Sequence, residues 1–327
     1  MASAAQIISL VRSHTKGDRN RFEQIALQLA ADAAKRGHSR VAEELRDLVE
    51  EARNQIASTE RTCDPIPMLR PKGELAGLLS ASFPLIRLSS LVLSDRLSEA
   101  LKRVVKEQRE RDKLDQYGLS PRRKLLLSGP PGTGKTSTAA ALAGELSLPL
   151  FTIELDGIIT KYMGESASKL RLVFESIANN RGVYLFDELD ALGAERSMPN
   201  DVGEARRIAT AFLKFLEEDR STSLILAATN HAKLLDKALF RRFDAIFTYE
   251  LPDQTQARAV LENNLTTFDL SNLDWDALMG ETNGMSHCDI ARGAIDAARI
   301  AVLDHDGNLD SRLLTTALSE RRNGHTI

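Results

Sequence analysis

The sequence predicts an α/β fold in which a parallel five-stranded sheet is flanked by helices, followed by a C-terminal helical lid and preceded by an N-terminal helical bundle. Three observations carry this. Between about residues 85 and 251, five short apolar runs alternate with helical stretches. Near-continuous apolar strands separated by helices belong to parallel sheets covered on both faces. Over residues 59–84, Pro65, Pro67, Pro71, Gly73 and Pro84 interrupt any periodicity and give linker composition. From residue 252 to 327 the pattern is helical throughout. The expected domains are therefore 1–58, 59–84 (linker), 85–251 and 252–327.

In the first segment Phe22, Ile25, Ala26, Leu29, Ala30 and Ala33 fall at helical spacing. Gly37 and Ser39 break that pattern, and Val41, Leu45, Leu48, Val49 and Ala52 repeat it. With Ile7–Val11 this makes a bundle of two or three helices, suited to docking or oligomerisation. The expected strands of the central domain are Lys124–Ser128, Phe151–Leu155, Gly182–Asp187, Ser223–Ala228 and Ala245–Glu250, with helices over Thr136–Leu146, Ser166–Asn179 and Gly203–Asp219.

Composition sets the limits. A chain of 327 residues with 43% hydrophobic and 27% charged residues buries a sizeable core and has room for two or three domains. A net charge of −3 gives no broad attraction to nucleic acid or anionic lipid, so nucleic acid is not the expected partner. Cys63 and Cys288 lie far apart and outside any C-x-x-C spacing, which argues for a reducing compartment. No apolar run approaches the ~18 residues of a membrane helix. The acid-free start, Met1–Gly17, has its bases Arg12 and Lys16 after the apolar stretch, the wrong order for a secretory signal. A cytoplasmic protein without membrane association is expected.

Gly129, Pro130, Pro131, Gly132, Thr133, Gly134, Lys135 and Thr136 form the phosphate-loop pattern G-x-x-x-x-G-K-[ST], between an apolar strand and an Ala- and Leu-rich helix. The glycines let backbone N–H groups turn inward as an anion nest at the positive end of the helix dipole. Lys135 is placed for the β- and γ-phosphates of ATP, and Thr136 for Mg²⁺. Val183–Glu188 is a buried strand ending in two carboxylates. Asp187 is placed to hold Mg²⁺, partly through water, and Glu188 to orient and deprotonate the attacking water. Asp190 reads equally as a helix cap, a supporting residue or a catalytic one.

The ordered motifs GPPGTGKT, LFDELDALG, AATN and ALFRRFD, spread over roughly residues 88 to 303, resemble the AAA branch of the AAA+ ATPases. That resemblance implies ATP hydrolysis and ring assembly, usually as a homohexamer. It implies that Asn230 is the polar sensor beside the γ-phosphate, and that Arg241 and Arg242 are fingers reaching a neighbouring subunit's site. Lys161, Tyr162, Met163 and Gly164 resemble the first pore loop, which would grip an extended polypeptide. One departure stands out. Where the family reads G-x-S-G-A-D, this chain has Gly284-Met-Ser-His-Cys-Asp289, so His287 and Cys288 replace two small residues expected near the base and ribose.

The overall likeness also resembles bacterial AAA ATPases encoded beside subtilisin-like serine peptidases in toxin–antitoxin or defence cassettes, which implies such a peptidase as partner. The chain has no G-x-S-x-G or H-E-x-x-H motif of its own. Two functions follow from the resemblance: a motor that threads or remodels protein, and an ATP-dependent switch or antitoxin that restrains a partner by binding. Tyr162 favours the motor.

Overall fold

The computed structural model describes residues 25, 29–31, 73–158, 165–192, 199–232 and 237–324. Apart from residues 25 and 29–31, the N-terminal bundle expected over 1–58 lies outside these, as does the linker before residue 73. The chain divides into two compact units, one over Pro65–Glu250 and the other made of Leu251–Ile327 with Met1–Asp64.

The first unit is built on a six-stranded sheet in the order β1-β3-β4-β5-β2-β6. Its strands are β1 (Leu79–Ser82), β2 (Lys124–Ser128), β3 (Leu150–Ile153), β4 (Val183–Phe186), β5 (Leu224–Thr229) and β6 (Ala245–Thr248). β2 to β6 pair in parallel and correspond to the five expected strands. β1 corrects the five-stranded expectation. It adds antiparallel to β3, with Leu79 opposite Ile153 and Ser82 opposite Leu150. Its four residues fall in the stretch read as linker, and of them only Leu79 is buried. A short strand followed by Pro84 is compatible with a sheet edge, where a missing donor disrupts no ladder.

The strands of the middle of the sheet are buried along their length and mostly apolar because both faces are covered. Leu125, Leu127, Leu185, Leu224 and Leu226 point to one face, where they meet α1 (Asp95–Arg109) and α2 (Lys135–Leu146). Leu126, Tyr184, Phe186, Ile225 and Ala227 point to the other, under α3 (Glu165–Asn179) and α4 (Pro199–Glu218). This is the period-2 alternation of a strand read into two layers. On the second face Phe174, Phe186 and Phe212 interlock, with ring centroids 5.0 Å apart for Phe186–Phe212 and 5.8 Å for Phe174–Phe186. The helix α1 is not among those expected, although Leu97, Leu101, Val104 and Val105 give it a buried stripe at helical spacing.

The second unit contains α5 (Gln254–Asn264), α6 (Trp275–Thr282), α7 (His287–Asp304) and α8 (Ser311–Arg322), the expected helical lid. Asp253, Asp274, Ser286 and Asp310 each accept a backbone N–H at the start of one of these helices, satisfying donors that no intrahelical bond reaches. Gly293 lets α7 approach α8 closely, since a Cβ there would stand 2.9 Å from Leu318 Cδ2. The guanidinium of Arg258 stacks 4.3 Å from the Trp275 ring centre.

Candidate active site

The site forms where β2, β4 and β5 end. Parallel pairing brings these ends side by side, with Ser128 opposite Thr229 and Phe186 opposite Ala227. Whatever follows each strand is therefore delivered to one edge of the sheet.

After β2 the chain turns sharply through Gly129 to Gly134. Gly129 N donates to Thr229 O at 3.3 Å, which fixes the loop's first residue to β5. A Cβ on Gly129 would lie 2.3 Å from the carbonyl oxygen of Tyr249, so only glycine fits beneath the end of β6. Gly134 takes a left-handed conformation (φ 94°) and starts α2, whose first turn presents backbone N–H groups to the loop. Lys135 Nζ donates to the carbonyl oxygens of Gly129 (2.8 Å) and Pro130 (2.7 Å), curling the ammonium back over the loop. Burial lowers the Lys135 pKa from its ordinary value, and the carboxylates of Asp187 and Asp190 oppose that.

The two acidic residues at the end of β4 differ in setting. Asp187 Oδ2 accepts the Thr136 hydroxyl at 2.8 Å, and its Oδ1 accepts the Glu188 N–H at 2.9 Å. A hydroxyl and a carboxylate thus converge beside the phosphate loop, a hard-oxygen donor set that fits Mg²⁺. Glu188 is exposed and takes a left-handed φ of 52°, uncommon for a residue with a side chain. Its carbonyl accepts Ala191 N–H at 2.8 Å, which holds the turn.

At the end of β5, Asn230 is half-buried, with its N–H bound by Asp190 Oδ1 at 3.1 Å. The same oxygen accepts the Thr229 hydroxyl at 2.9 Å. Sequence reasoning left Asp190 open among three roles and passed over Thr229; the threonine directly before Asn230 in AATN was the available signal. Arg241 and Arg242 follow the short helix Lys237–Phe240. Arg242 Nε donates to Glu217 Oε2 at 3.0 Å, whereas Arg241 is exposed and has no ion pair among the described residues. Lys161, Tyr162, Met163 and Gly164 lie outside the described residues. His287 and Cys288 open α7 in the second unit. Both ring nitrogens of His287 are buried without a hydrogen-bond partner among the described residues.

Residues 125–251 match the model of the ATPase family associated with various cellular activities (AAA). The chain carries an AAA ATPase module. It is thereby an ATP hydrolase, and the phosphate loop, acidic strand end and polar residue after β5 described above all fall within the matched span. An "Uncharacterized AAA family ATPase y4kL" of Sinorhizobium fredii is 29% identical over 300 residues, covering 91% of this chain and 90% of that one. The ATP-dependent zinc metalloprotease FtsH 2 of Sphaerobacter thermophilus is 32% identical over 231 residues, covering 69% of this chain. FtsH 1 of Conexibacter woesei is 33% identical over 231 residues, covering 68%. The AAA chain spans only 35% of the length of each of these two FtsH proteins. Among its described residues, no helix is long and apolar enough to cross a membrane.

Proposed function

We propose that this AAA ATPase is a ring-forming motor that uses ATP hydrolysis to remodel or thread polypeptide substrates. The observation that carries it is the meeting, at the ends of three adjacent strands, of a phosphate loop, a Thr136–Asp187 donor pair, the exposed residue Glu188 and the residue Asn230. Likeness to the AAA part of the FtsH metalloproteases, which are ATP-dependent by name, supports a protein substrate.

In this reading the loop N–H groups and Lys135 bind the β- and γ-phosphates, and Thr136 and Asp187 hold Mg²⁺. The ion, when bound, neutralises charge on the phosphate oxygens. Glu188 takes a proton from water as the water oxygen bonds to the γ-phosphorus, and the bond from that phosphorus to the β–γ bridging oxygen breaks. ADP leaves with the bridging oxygen and the γ-phosphoryl group leaves as inorganic phosphate. Asn230 orients the water and the γ-phosphate. Arg241 or Arg242 from a neighbouring subunit stabilises the charge that spreads over the transferring group, so turnover depends on assembly. Tyr162 and Met163 grip the polypeptide in the channel. A subtilisin-like peptidase partner rests on the sequence resemblance alone.

Glu188→Gln tests the core of this reading. It keeps the hydrogen-bonding shape and removes the base, so turnover falls at least about a hundredfold while binding of a fluorescent ATP analogue persists. Parental turnover in this variant would remove Glu188 from the mechanism.

A further inference from the structure

The β4–β5 backbone ladder ends at Phe186–Ala227. Two residues further along β5, the link between the two strands is taken up by a side chain. Asp190 Oδ1 accepts both the hydroxyl of Thr229 (2.9 Å) and the N–H of Asn230 (3.1 Å). The Thr229 hydroxyl in turn accepts the N–H of His231 at 3.1 Å, and Thr229 is only 1% exposed. The cluster therefore fixes three consecutive residues of the segment that carries Asn230.

Asp190 stands two residues after Glu188, in the turn whose left-handed backbone at Glu188 (φ 52°) is unfavourable for a residue with a side chain and persists only where its surroundings impose it. A residue serving only as a helix cap would accept an N–H of its own helix. Among the described residues, the hydrogen bonds that Asp190 accepts come instead from Thr229, the last residue of β5, and from Asn230 just after it.

We infer that Asp190 is a positioning residue that clamps the Glu188 turn to the end of β5, so that the base and Asn230 reach the γ-phosphate in one fixed arrangement. The inference rests on the active-site reading above. The clamp itself requires only an acceptor oxygen at this place; the carboxylate's charge acts separately, on Lys135. Asparagine, with the same shape and one carbonyl oxygen, satisfies that requirement; alanine does not.

The test compares Asp190→Ala, Asp190→Asn, Thr229→Val and Glu188→Gln in the full chain, by steady-state ATPase kinetics, affinity for a fluorescent ATP analogue and melting temperature. Asp190→Ala is expected to lower kcat at least about tenfold, in line with the cost of a misplaced catalytic group, while KM and nucleotide affinity stay within about twofold. Asp190→Asn is expected to keep at least about half of the parental kcat. Thr229→Val removes one donor with little change in volume. Its effect on kcat should disappear in the Asp190→Ala background, because both changes break the same clamp.

Several results would overturn the inference. Asp190→Asn falling as far as Asp190→Ala would mean that the charge matters, as for a catalytic or metal-binding acid. Loss of nucleotide affinity and melting temperature together with kcat, repeated in the milder Thr229→Val, would mean general structural support. Parental kcat in Asp190→Ala beside an inactive Glu188→Gln overturns this inference alone. An active Glu188→Gln overturns the site reading and this inference with it.

Discussion

Two single residues show how the sequence pattern acquires a physical reason in the structure. Gly129 is recognisable in the phosphate-loop motif, where its glycine reads as part of an anion nest. The structure adds a steric reason, the Tyr249 carbonyl oxygen 2.3 Å from where a Cβ would sit. Tyr249 cannot move aside, because it is buried and its hydroxyl donates to Thr138 Oγ1 in α2 at 2.9 Å. Gly129→Ala should therefore cost about 1–3 kcal/mol of stability as well as phosphate affinity, which denaturant unfolding and nucleotide titration measure separately. His287 is visible in the sequence as a departure from the family pattern, but its environment is not. Burial lowers its pKa below the ordinary 6.5, with Asp253 opposing. Unfolded His287 thus binds a proton at a pH where the folded residue does not, and stability falls as pH drops through about 6.5 toward the folded value. His287→Leu also removes two buried nitrogens that have no hydrogen-bond partner among the described residues. Melting temperature followed from pH 7.5 to 5 should decline less steeply in that variant; equal slopes would place the acid sensitivity elsewhere.

At the scale of elements, β2, β4 and β5 are legible because each has a continuous apolar run and a motif at its end. β1 is not legible. Four residues with one buried side chain carry no periodic signal, and the strand exists because β3 offers a free edge. The site follows the same division. Lys135, Thr136, Asp187 and Glu188 are adjacent in local motifs, whereas the clamp from Asp190 to Thr229 depends on pairing between distant strands. A second tie of that kind secures α4 to the opposite end of the sheet. Arg123, at the start of β2, forms an ion pair with Asp219 just beyond α4, their side chains 16% and 3% exposed, and Lys124 Nζ donates to Leu216 O. Asp244 Oδ2 accepts the backbone N–H groups of both Arg123 (2.8 Å) and Lys124 (2.9 Å). Asp219→Ala leaves the Arg123 charge buried without its carboxylate and should destabilise the unit by roughly 3 kcal/mol, read as a lower denaturant midpoint. Its effect on kcat should be small while the protein remains folded, because this tie sits at the far ends of the strands from the phosphate loop.

For the molecule as a whole, the family resemblance implies that Arg241 and Arg242 are fingers, and the two differ in their surroundings. Arg242 is engaged with Glu217 of its own subunit, while Arg241 is exposed. Arg241→Ala should accordingly impair turnover more than Arg242→Ala. In the proposed ring, ATPase activity per subunit rises with protein concentration through the range of self-association. Mixing inactive Arg241→Ala and Lys135→Ala chains restores part of the activity at interfaces that join an intact loop to an intact finger. Activity that is constant with dilution in a monomer shown by sedimentation would end the ring proposal. The strand order has one more consequence, and it concerns synthesis. β2 lies between β5 and β6, so the strand bearing the phosphate loop precedes both of its neighbours in the chain. Thr138 and its partner Tyr249 are 111 residues apart. At a translation rate of about 5–20 residues per second, roughly 6–22 s pass after α2 begins before its last support is made. Until β5 is made, Leu125, Leu126 and Leu127 have neither of their pairing strands to join, and the growing chain cannot assemble the complete loop until the end of β6 has left the ribosome.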